Sequence, residues 1–180
     1  MNGRSGQNHN SAALVALVGV LTALSLIFLY ASAFLPTGRM GMVAIAGVFP
    51  AGAVVSAGLK AGVFCYGATG ILALLLLPDK AAALLYLLFF GLWPVLKSLT
   101  ERLPSRGAEW CCKLALFNGI LALFWFGLRS LLLPFLPKAL DQTWLVWLVG
   151  NVAFVIYDIG FSKLIAFYVA RVHRVLRKGA

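Results

Sequence analysis

The sequence predicts an all-α polytopic membrane protein with six transmembrane helices, on the strength of two observations. First, 62% of the 180 residues are hydrophobic and the mean hydropathy is +0.97, a composition typical of membrane proteins. Second, six apolar runs of 15 to 28 residues, each predicted to cross the bilayer, are separated by short segments rich in proline, glycine or charge. The runs are 12–34, 40–59, 61–77, 81–95, 110–133 and 143–170.

The basic residues predict the orientation of the chain. The net charge is +10, and most of the cations lie at the ends of the apolar runs. With six spans, eleven basic residues fall on the side of the two termini and three on the other, while Arg129 lies within a span. The positive-inside rule therefore places both termini in the cytoplasm of a cell-membrane protein. A nucleic-acid-binding protein would carry its cations on a soluble folded surface, so we expect no nucleic-acid partner.

The same pattern divides the chain into three parts. Residues 1–11 are polar and are expected to form a disordered cytoplasmic tail, with Ser11 as a candidate cap of the first helix. Residues 12–170 form the membrane domain. Residues 171–180 continue the last helix as a basic cytoplasmic extension suited to a membrane surface or a partner.

A few residues predict where the helices are interrupted or capped. Pro50 lies within the second run and should kink it, because proline donates no backbone hydrogen bond. Asp79 and Asp141 are placed to cap the fourth and sixth helices. Lys97 and Glu101 stand four residues apart, which predicts a solvated ion pair. The second and third runs are short, and this leaves open whether one of them is re-entrant.

Enzyme chemistry finds no support in the sequence. The three cysteines lie in or beside apolar runs, and the two histidines lie in the polar ends of the chain. Adjacent Cys111 and Cys112 lack the spacing of a zinc site. Phosphate-binding, metalloprotease and hydrolase motifs are also missing from the sequence. We therefore expect no catalytic residues, no metal and no cofactor.

Polar residues within the last two runs are the candidate functional residues. Asn118, Trp125 and Arg129 share one face of the fifth helix, and Asn151 and Asp158 share one face of the sixth. For two straight antiparallel helices, depths counted at 1.5 Å per residue predict that Arg129 pairs with Asn151, and that Asp158 is held either by Asn118 or by groups near the cytoplasmic surface.

Three interpretations of these residues remain open. They can hold the helices together by hydrogen bonds. Alternatively, Arg129, Trp125 and Asn151 line an outward-opening pocket for a small anionic or aromatic ligand. Asp158 can also serve as a proton or cation site, although no second carboxylate lies within the apolar runs.

The first helix carries a stripe of small residues, namely Ala12, Ala16, Gly19 and Ala23. Small residues let transmembrane helices approach closely, either within the protein or against another subunit. With the size, the six spans and the internal termini, the Ala12-x3-Ala16 pair resembles the substrate-binding S component of energy-coupling factor transporters. The resemblance implies that Ala12, Ala16 and Ala23 dock a transmembrane coupling subunit associated with ATPases. It also implies a small-molecule pocket near the outer side.

Two other interpretations of the whole chain do not involve transport. The bacterial rod-shape protein MreD is similar in size and number of spans, which would make the chain a scaffold in cell-envelope morphogenesis. The other is a membrane scaffold without a ligand. The sequence carries no vitamin-specific signature that would decide between transport and these alternatives.

Overall fold

The structure is a computed structural model that describes residues 3–35, 37–132 and 142–178, with side chains described for 12–35, 37–130 and 142–170. Six stretches in these ranges are long and apolar enough to cross a membrane, which confirms the predicted polytopic all-α class. The chain is therefore a multi-pass membrane protein. The spans are Ala12–Ser32, Arg39–Ala57, Leu59–Leu76, Lys80–Thr100, Arg106–Gly127 and Thr143–Ala170.

Several spans consist of more than one helical segment. A π-helical turn, Tyr86–Phe90, lies between α5 and α6, and a second one, Leu123–Gly127, follows α7. In chain order, the α-helices are α1 (Gly3–Ser32), α2 (Arg39–Ala46), α3 (Val48–Ala57), α4 (Leu59–Leu76), α5 (Lys80–Leu85), α6 (Trp93–Thr100), α7 (Arg106–Ala122), α8 (Arg129–Leu132) and α9 (Thr143–Lys178).

The chain folds as two compact units, which we call the N-terminal unit (Met1–Glu101) and the C-terminal unit (Arg102–Ala180). In the N-terminal unit, α1 packs against α2, α3 and α4, and α3 packs closely on α4. In the C-terminal unit, α7 packs against α9.

The first helix begins at Gly3, so the predicted start at Ala12 lies within it and Ser11 is not its cap. Within the membrane, α1 buries a face made of Thr22, Ser25, Leu29 and Ser32. These residues recur at three- and four-residue steps, as expected for one side of a helix. Three of the four carry a hydroxyl, so this packed face is unusually polar for a transmembrane helix.

The second span is interrupted, as Pro50 predicts, but the break lies at Gly47, between α2 and α3. Since Pro50 has no N–H, it cannot bond to the carbonyl of Ala46 four residues earlier, and the helix is therefore disturbed on the N-terminal side of the proline. The hydroxyl of Ser25 donates to the Ala46 carbonyl at 2.9 Å. A side chain on α1 thus replaces the backbone bond that Pro50 cannot make.

The second and third spans form a closed hairpin. Gly58 alone joins α3 to α4, with a positive φ of 88° that favours glycine over other residues. At the other end of the hairpin, Arg39 at the start of α2 forms an ion pair with Asp79, just after α4. Because the ends of the two spans meet, the chain runs along α2 and α3 and returns along the full length of α4.

The fourth span begins with the predicted cap and contains a π-helical turn. The side chain of Asp79 accepts a hydrogen bond from the backbone N–H of Ala81 at 3.1 Å, which confirms its capping role. Gly91 N–H donates to the Tyr86 carbonyl at 2.7 Å, five residues earlier. The predicted pair of Lys97 and Glu101 exists at 3.0 Å. The prediction that this ion pair is solvated is wrong for the lysine, since the Lys97 side chain is only 2% exposed.

The fifth span ends earlier than the sequence predicts. Ser105 caps α7 by accepting from the N–H of Ala108 at 3.1 Å. The span then passes through the π-helical turn to Leu128, whose φ of −128° and ψ of 30° are not helical. The last helix, α9, continues past residue 170 to Lys178, as predicted. The predicted cap at Asp141 lies outside the described residues.

Candidate functional site

The candidate ligand-binding and intramembrane polar residues lie on α7, the π-helical turn after it, α8 and α9, all within the C-terminal unit. An apolar layer fixes the register of the two long helices. The rings of Phe117 and Phe154 stack with centroids 4.4 Å apart and an interplanar angle of 11°. Gly150 lies opposite Leu121, whose methyl group would be 3.3 Å from a Cβ at position 150. The small residue allows α9 to approach α7 closely.

Next to this layer, Asn118 and Asn151 form a reciprocal amide pair. The Asn118 Nδ2 donates to Asn151 Oδ1 at 2.9 Å, and the Asn151 Nδ2 donates to Asn118 Oδ1 at 3.0 Å. Each Nδ2 also donates to the carbonyl four residues earlier in its own helix, Leu114 or Trp147, at 2.8 Å. Both amides are thus largely satisfied by the helix pair, as the structural interpretation of these residues requires.

A buried ionic cluster lies one further turn along the same interface. Lys113 Nζ contacts Asp158 Oδ2 at 3.0 Å and Glu109 Oε1 at 2.6 Å. The side chains of Lys113 and Asp158 are 2% and 3% exposed, whereas that of Glu109 is 22% exposed. The ring of Trp110 lies 5.5 Å from Lys113 Nζ, in the range of a cation–π contact. We call Glu109, Lys113 and Asp158 the ionic cluster.

These contacts show that both predicted pairings are wrong. Asn118 pairs with Asn151 instead of Asp158, and Asn151 does not pair with Arg129. The error lies in the assumed geometry: the prediction took the fifth helix as straight and continuous to residue 133, whereas it departs from helix at Leu128. Counting residues along α7 and α9 from the contacts of Lys113 with Asp158 and of Phe117 with Phe154 places Leu128 at about the same depth as the start of α9.

Lys113 is not predicted as the partner of Asp158, because it is one of the eleven basic residues assigned to the side of the termini. A signal for it was present in the sequence. Lys113 follows Glu109 by four residues and precedes Phe117 by four, so the three residues share one helical face. A lysine on the same face as an interface aromatic residue is a candidate for burial, and Asp158 was the one acidic residue within the apolar runs.

Arg129 and Trp125 come together as the sequence predicts. The guanidinium carbon of Arg129 lies 4.6 Å from the centroid of the Trp125 ring. Trp125 is buried at 4% exposure, whereas Arg129 is exposed. The π-helical turn Leu123–Gly127 and the break at Leu128 place this cation at the end of the span, after the regular helix has finished. The arrangement leaves a charged group on an aromatic surface at the edge of the membrane-spanning segment.

The predicted docking residues lie in the N-terminal unit. Ala12, Ala16 and Ala23 are all exposed, and so is Gly19 between them. A Cβ added at Gly19 would meet no atom within 4 Å. The stripe is therefore separate from the buried hydroxyl face of α1, and all four of its residues are exposed.

No group of three or more histidine, cysteine, aspartate or glutamate side chains suited to a metal ion occurs among the described residues. No family model, curated protein or solved structure matches this chain. The fold and the six spans define a polytopic helical membrane protein.

Proposed function

We propose that the chain is the substrate-binding subunit of a bacterial uptake transporter, similar to the S component of energy-coupling factor transporters. In this proposal it lies in the cell membrane with both termini in the cytoplasm. It docks on a transmembrane coupling subunit, associated with ATPases, through the small-residue stripe of α1. It binds a small anionic or aromatic molecule near Arg129.

The exposed stripe of Ala12, Ala16 and Ala23 is the observation that carries the proposal. A transmembrane helix that used its small residues for internal packing would bury them, because their value lies in letting another helix backbone come close. On α1 the internal contacts are instead made by Thr22, Ser25 and Leu29. The small-residue face stays available for a second membrane protein.

Arg129 on the ring of Trp125 supports the ligand-binding part of the proposal. A guanidinium presents several N–H donors in a planar fork that suits carboxylates and phosphates. Its exposure keeps it within reach of a ligand from solution. Asn151, also predicted to bind the ligand, commits its amide to Asn118 and Trp147. In the proposed site, Arg129 and Trp125 therefore remain as the main ligand-binding residues.

The docking part is tested by purifying the tagged protein from its native membrane with and without Ala16→Trp. A bulky ring in the stripe should abolish co-purification of a coupling subunit and ATPases while leaving the thermal stability of the protein unchanged. The matched control is Ala13→Trp, which places the same ring on exposed surface about a quarter turn from the centre of the stripe. Equal recovery of partners from both variants would refute docking through this face.

The ligand-binding part is tested with Arg129→Ala and Arg129→Lys, in thermal-shift and uptake assays against a panel of anionic and aromatic vitamins. The proposal expects lost binding for Arg129→Ala at normal stability, and partial binding for Arg129→Lys, which keeps the charge but loses the fork. Lost stability with no ligand response from the unmodified protein would return Arg129 to a structural role. Together with the absence of co-purified ATPases, that result would favour a scaffold.

A further inference from the structure

Two interrupted spans meet in the N-terminal unit. Pro50 leaves the carbonyl of Ala46 without its helical N–H donor, and Pro94 does the same for the carbonyl of Phe90. The Phe90 carbonyl lies against Gly47, where an added Cβ would be only 2.3 Å from its oxygen. Gly47 is about 12 Å along its span from Arg39, at 1.5 Å per residue. The breaks in the second and fourth spans thus contact each other well inside a hydrocarbon layer of about 30 Å.

Beside this crossing lies a group of buried polar side chains from α1, α4 and the first π-helical turn. We call it the hydroxyl cluster, and its members are Thr22, Ser25, Cys65, Thr69 and Tyr86. Thr22 is 7% exposed, and the other four are fully buried. Three of the members have partners: Ser25 donates to the Ala46 carbonyl, and Thr22 Oγ1 donates to Cys65 Sγ at 3.7 Å.

Two hydroxyls of the cluster are inaccessible to solvent and have no hydrogen-bond partner among the described residues. They are Thr69 Oγ1 and Tyr86 Oη. Tyr86 neighbours both Ser25 and Thr69, and Thr69 neighbours Cys65, yet these contacts do not meet hydrogen-bond geometry. A buried hydroxyl without a partner is unfavourable, particularly in a membrane, where no bulk water can satisfy it.

We propose that the hydroxyl cluster binds one water molecule, held between Thr69 Oγ1 and Tyr86 Oη at the crossing of the two interrupted spans. Each of these hydroxyls has one proton, which needs an acceptor. Each also has lone pairs, which can accept a hydrogen bond. A water molecule supplies both, and buried waters typically make about three hydrogen bonds to polar groups. A sodium ion would accept no proton, and the cluster contains no carboxylate to balance its charge.

The bound water would join α4 to the π-helical turn of the fourth span through Thr69 and Tyr86. It would complete the polar contacts at the crossing where the second and fourth spans both lose regular backbone hydrogen bonds. Non-helical backbone at this depth is tolerated where the protein or water satisfies it. The water is thus a structural ligand of the N-terminal unit, independent of any ligand at Arg129.

The test measures the melting temperatures of Thr69→Val, Tyr86→Phe and the double variant in one detergent. Each single variant removes one hydroxyl with little change in shape, and should lower the melting temperature by about 2–4 °C for a lost hydrogen bond. The double variant should lose scarcely more than either single variant, because both hydroxyls bind the same water. The matched control is Tyr66→Phe, whose hydroxyl donates to the Leu87 carbonyl at 2.8 Å. The decrease in melting temperature caused by Tyr66→Phe should add fully to the decrease caused by Thr69→Val.

Other outcomes overturn the proposal. A raised or unchanged melting temperature in the single variants would mean that the hydroxyls are simply unsatisfied, since removing such a group is neutral or stabilising. Additive losses would mean separate partners. Stabilisation by sodium chloride over choline chloride, lost in both variants, would identify a cation instead. A high-resolution structure should show a density peak about 2.7–3.0 Å from both oxygens. Direct contact between the oxygens, without a peak, would refute the water.

Discussion

The two units hold their helices together by different means. In the N-terminal unit, glycines allow backbone and side chains to come into close contact, as at Gly47 against Phe90, and hydroxyls satisfy local defects, as at Ser25. In the C-terminal unit, α7 and α9 are joined by an amide pair and an ionic cluster around a stacked phenylalanine pair. Without a hydrophobic driving force between helices in lipid, both close packing and polar contacts can drive association.

The difference predicts different weaknesses in the two units. Close packing fails when volume is added, whereas the loss of a single hydroxyl costs less. A buried ion pair fails when one charge is left alone, and it tolerates removal of both charges. Substitutions that add volume should therefore be most harmful in the N-terminal unit, and substitutions that unbalance charge should be most harmful in the C-terminal unit.

The largest effect is expected for Asp158→Leu. Lys113 would lose its buried partner and keep the partly exposed Glu109. Breaking a buried ion pair from one side typically costs about 3–5 kcal/mol. The free energy of unfolding, measured in mixed micelles with increasing denaturing detergent, should fall by this order.

The control for Asp158→Leu is the double variant Lys113→Met and Asp158→Leu. Removing both charges and replacing them with apolar side chains is often neutral or stabilising. The double variant should therefore be more stable than the single one. If it were less stable, the ionic cluster would owe its importance to hydrogen bonds or packing that apolar side chains cannot replace.

The second prediction concerns added volume in the N-terminal unit. Gly47→Ala places a Cβ 2.3 Å from the Phe90 carbonyl oxygen, a backbone atom that cannot rotate away. Overpacking of this kind costs about 1–3 kcal/mol, so the variant should unfold more easily in the same assay. Gly52→Ala is the matched control on α3, because its Cβ would meet no atom within 4 Å. That control should be neutral or slightly stabilising, because alanine favours helix over glycine.

The sequence predicted the fold well, because the length and hydropathy of a span are local properties. The six apolar runs correspond to the six spans, and Asp79 caps its helix as its position after Pro78 indicates. Pro50 predicted the interruption of the second span but placed it one turn too late. The proline acts through the carbonyl four residues earlier, so the break lies toward Ala46.

The contacts between α7 and α9 were much less predictable. Depth along a helix can be counted from its end, but the end of the fifth span is set by a π-helical turn and by Leu128, which no residue pattern marks. An error of one to two turns was enough to give Asp158 the wrong partner. The contact of Arg129 with Trp125 was predicted correctly, because residues four apart in sequence remain close however the two helices are aligned.

The third prediction tests the amide pair of the C-terminal unit. Asn118→Leu leaves the Asn151 side chain without its reciprocal partner in a partly buried interface. Interhelical hydrogen bonds in membranes contribute about 1–2 kcal/mol in model peptides, so a loss of that order is expected in the unfolding assay. The double variant Asn118→Leu and Asn151→Leu should lose less than the sum of the two single losses. Additive losses would show that each amide acts through its own helix alone.

The smallest effect, and the most specific one, is expected for Ser25→Ala. The variant removes the hydroxyl that donates to the Ala46 carbonyl, and it should cost about 0.6 kcal/mol, the average for such bonds between membrane helices. Pro50→Ala sharpens the test, because alanine restores an N–H that can bond to the same carbonyl within a continuous helix. In the Pro50→Ala background, Ser25→Ala should therefore have little effect on the free energy of unfolding. An equal cost in both backgrounds would mean that Ser25 stabilises α1 by packing, and that the proline does not create the need for its hydroxyl.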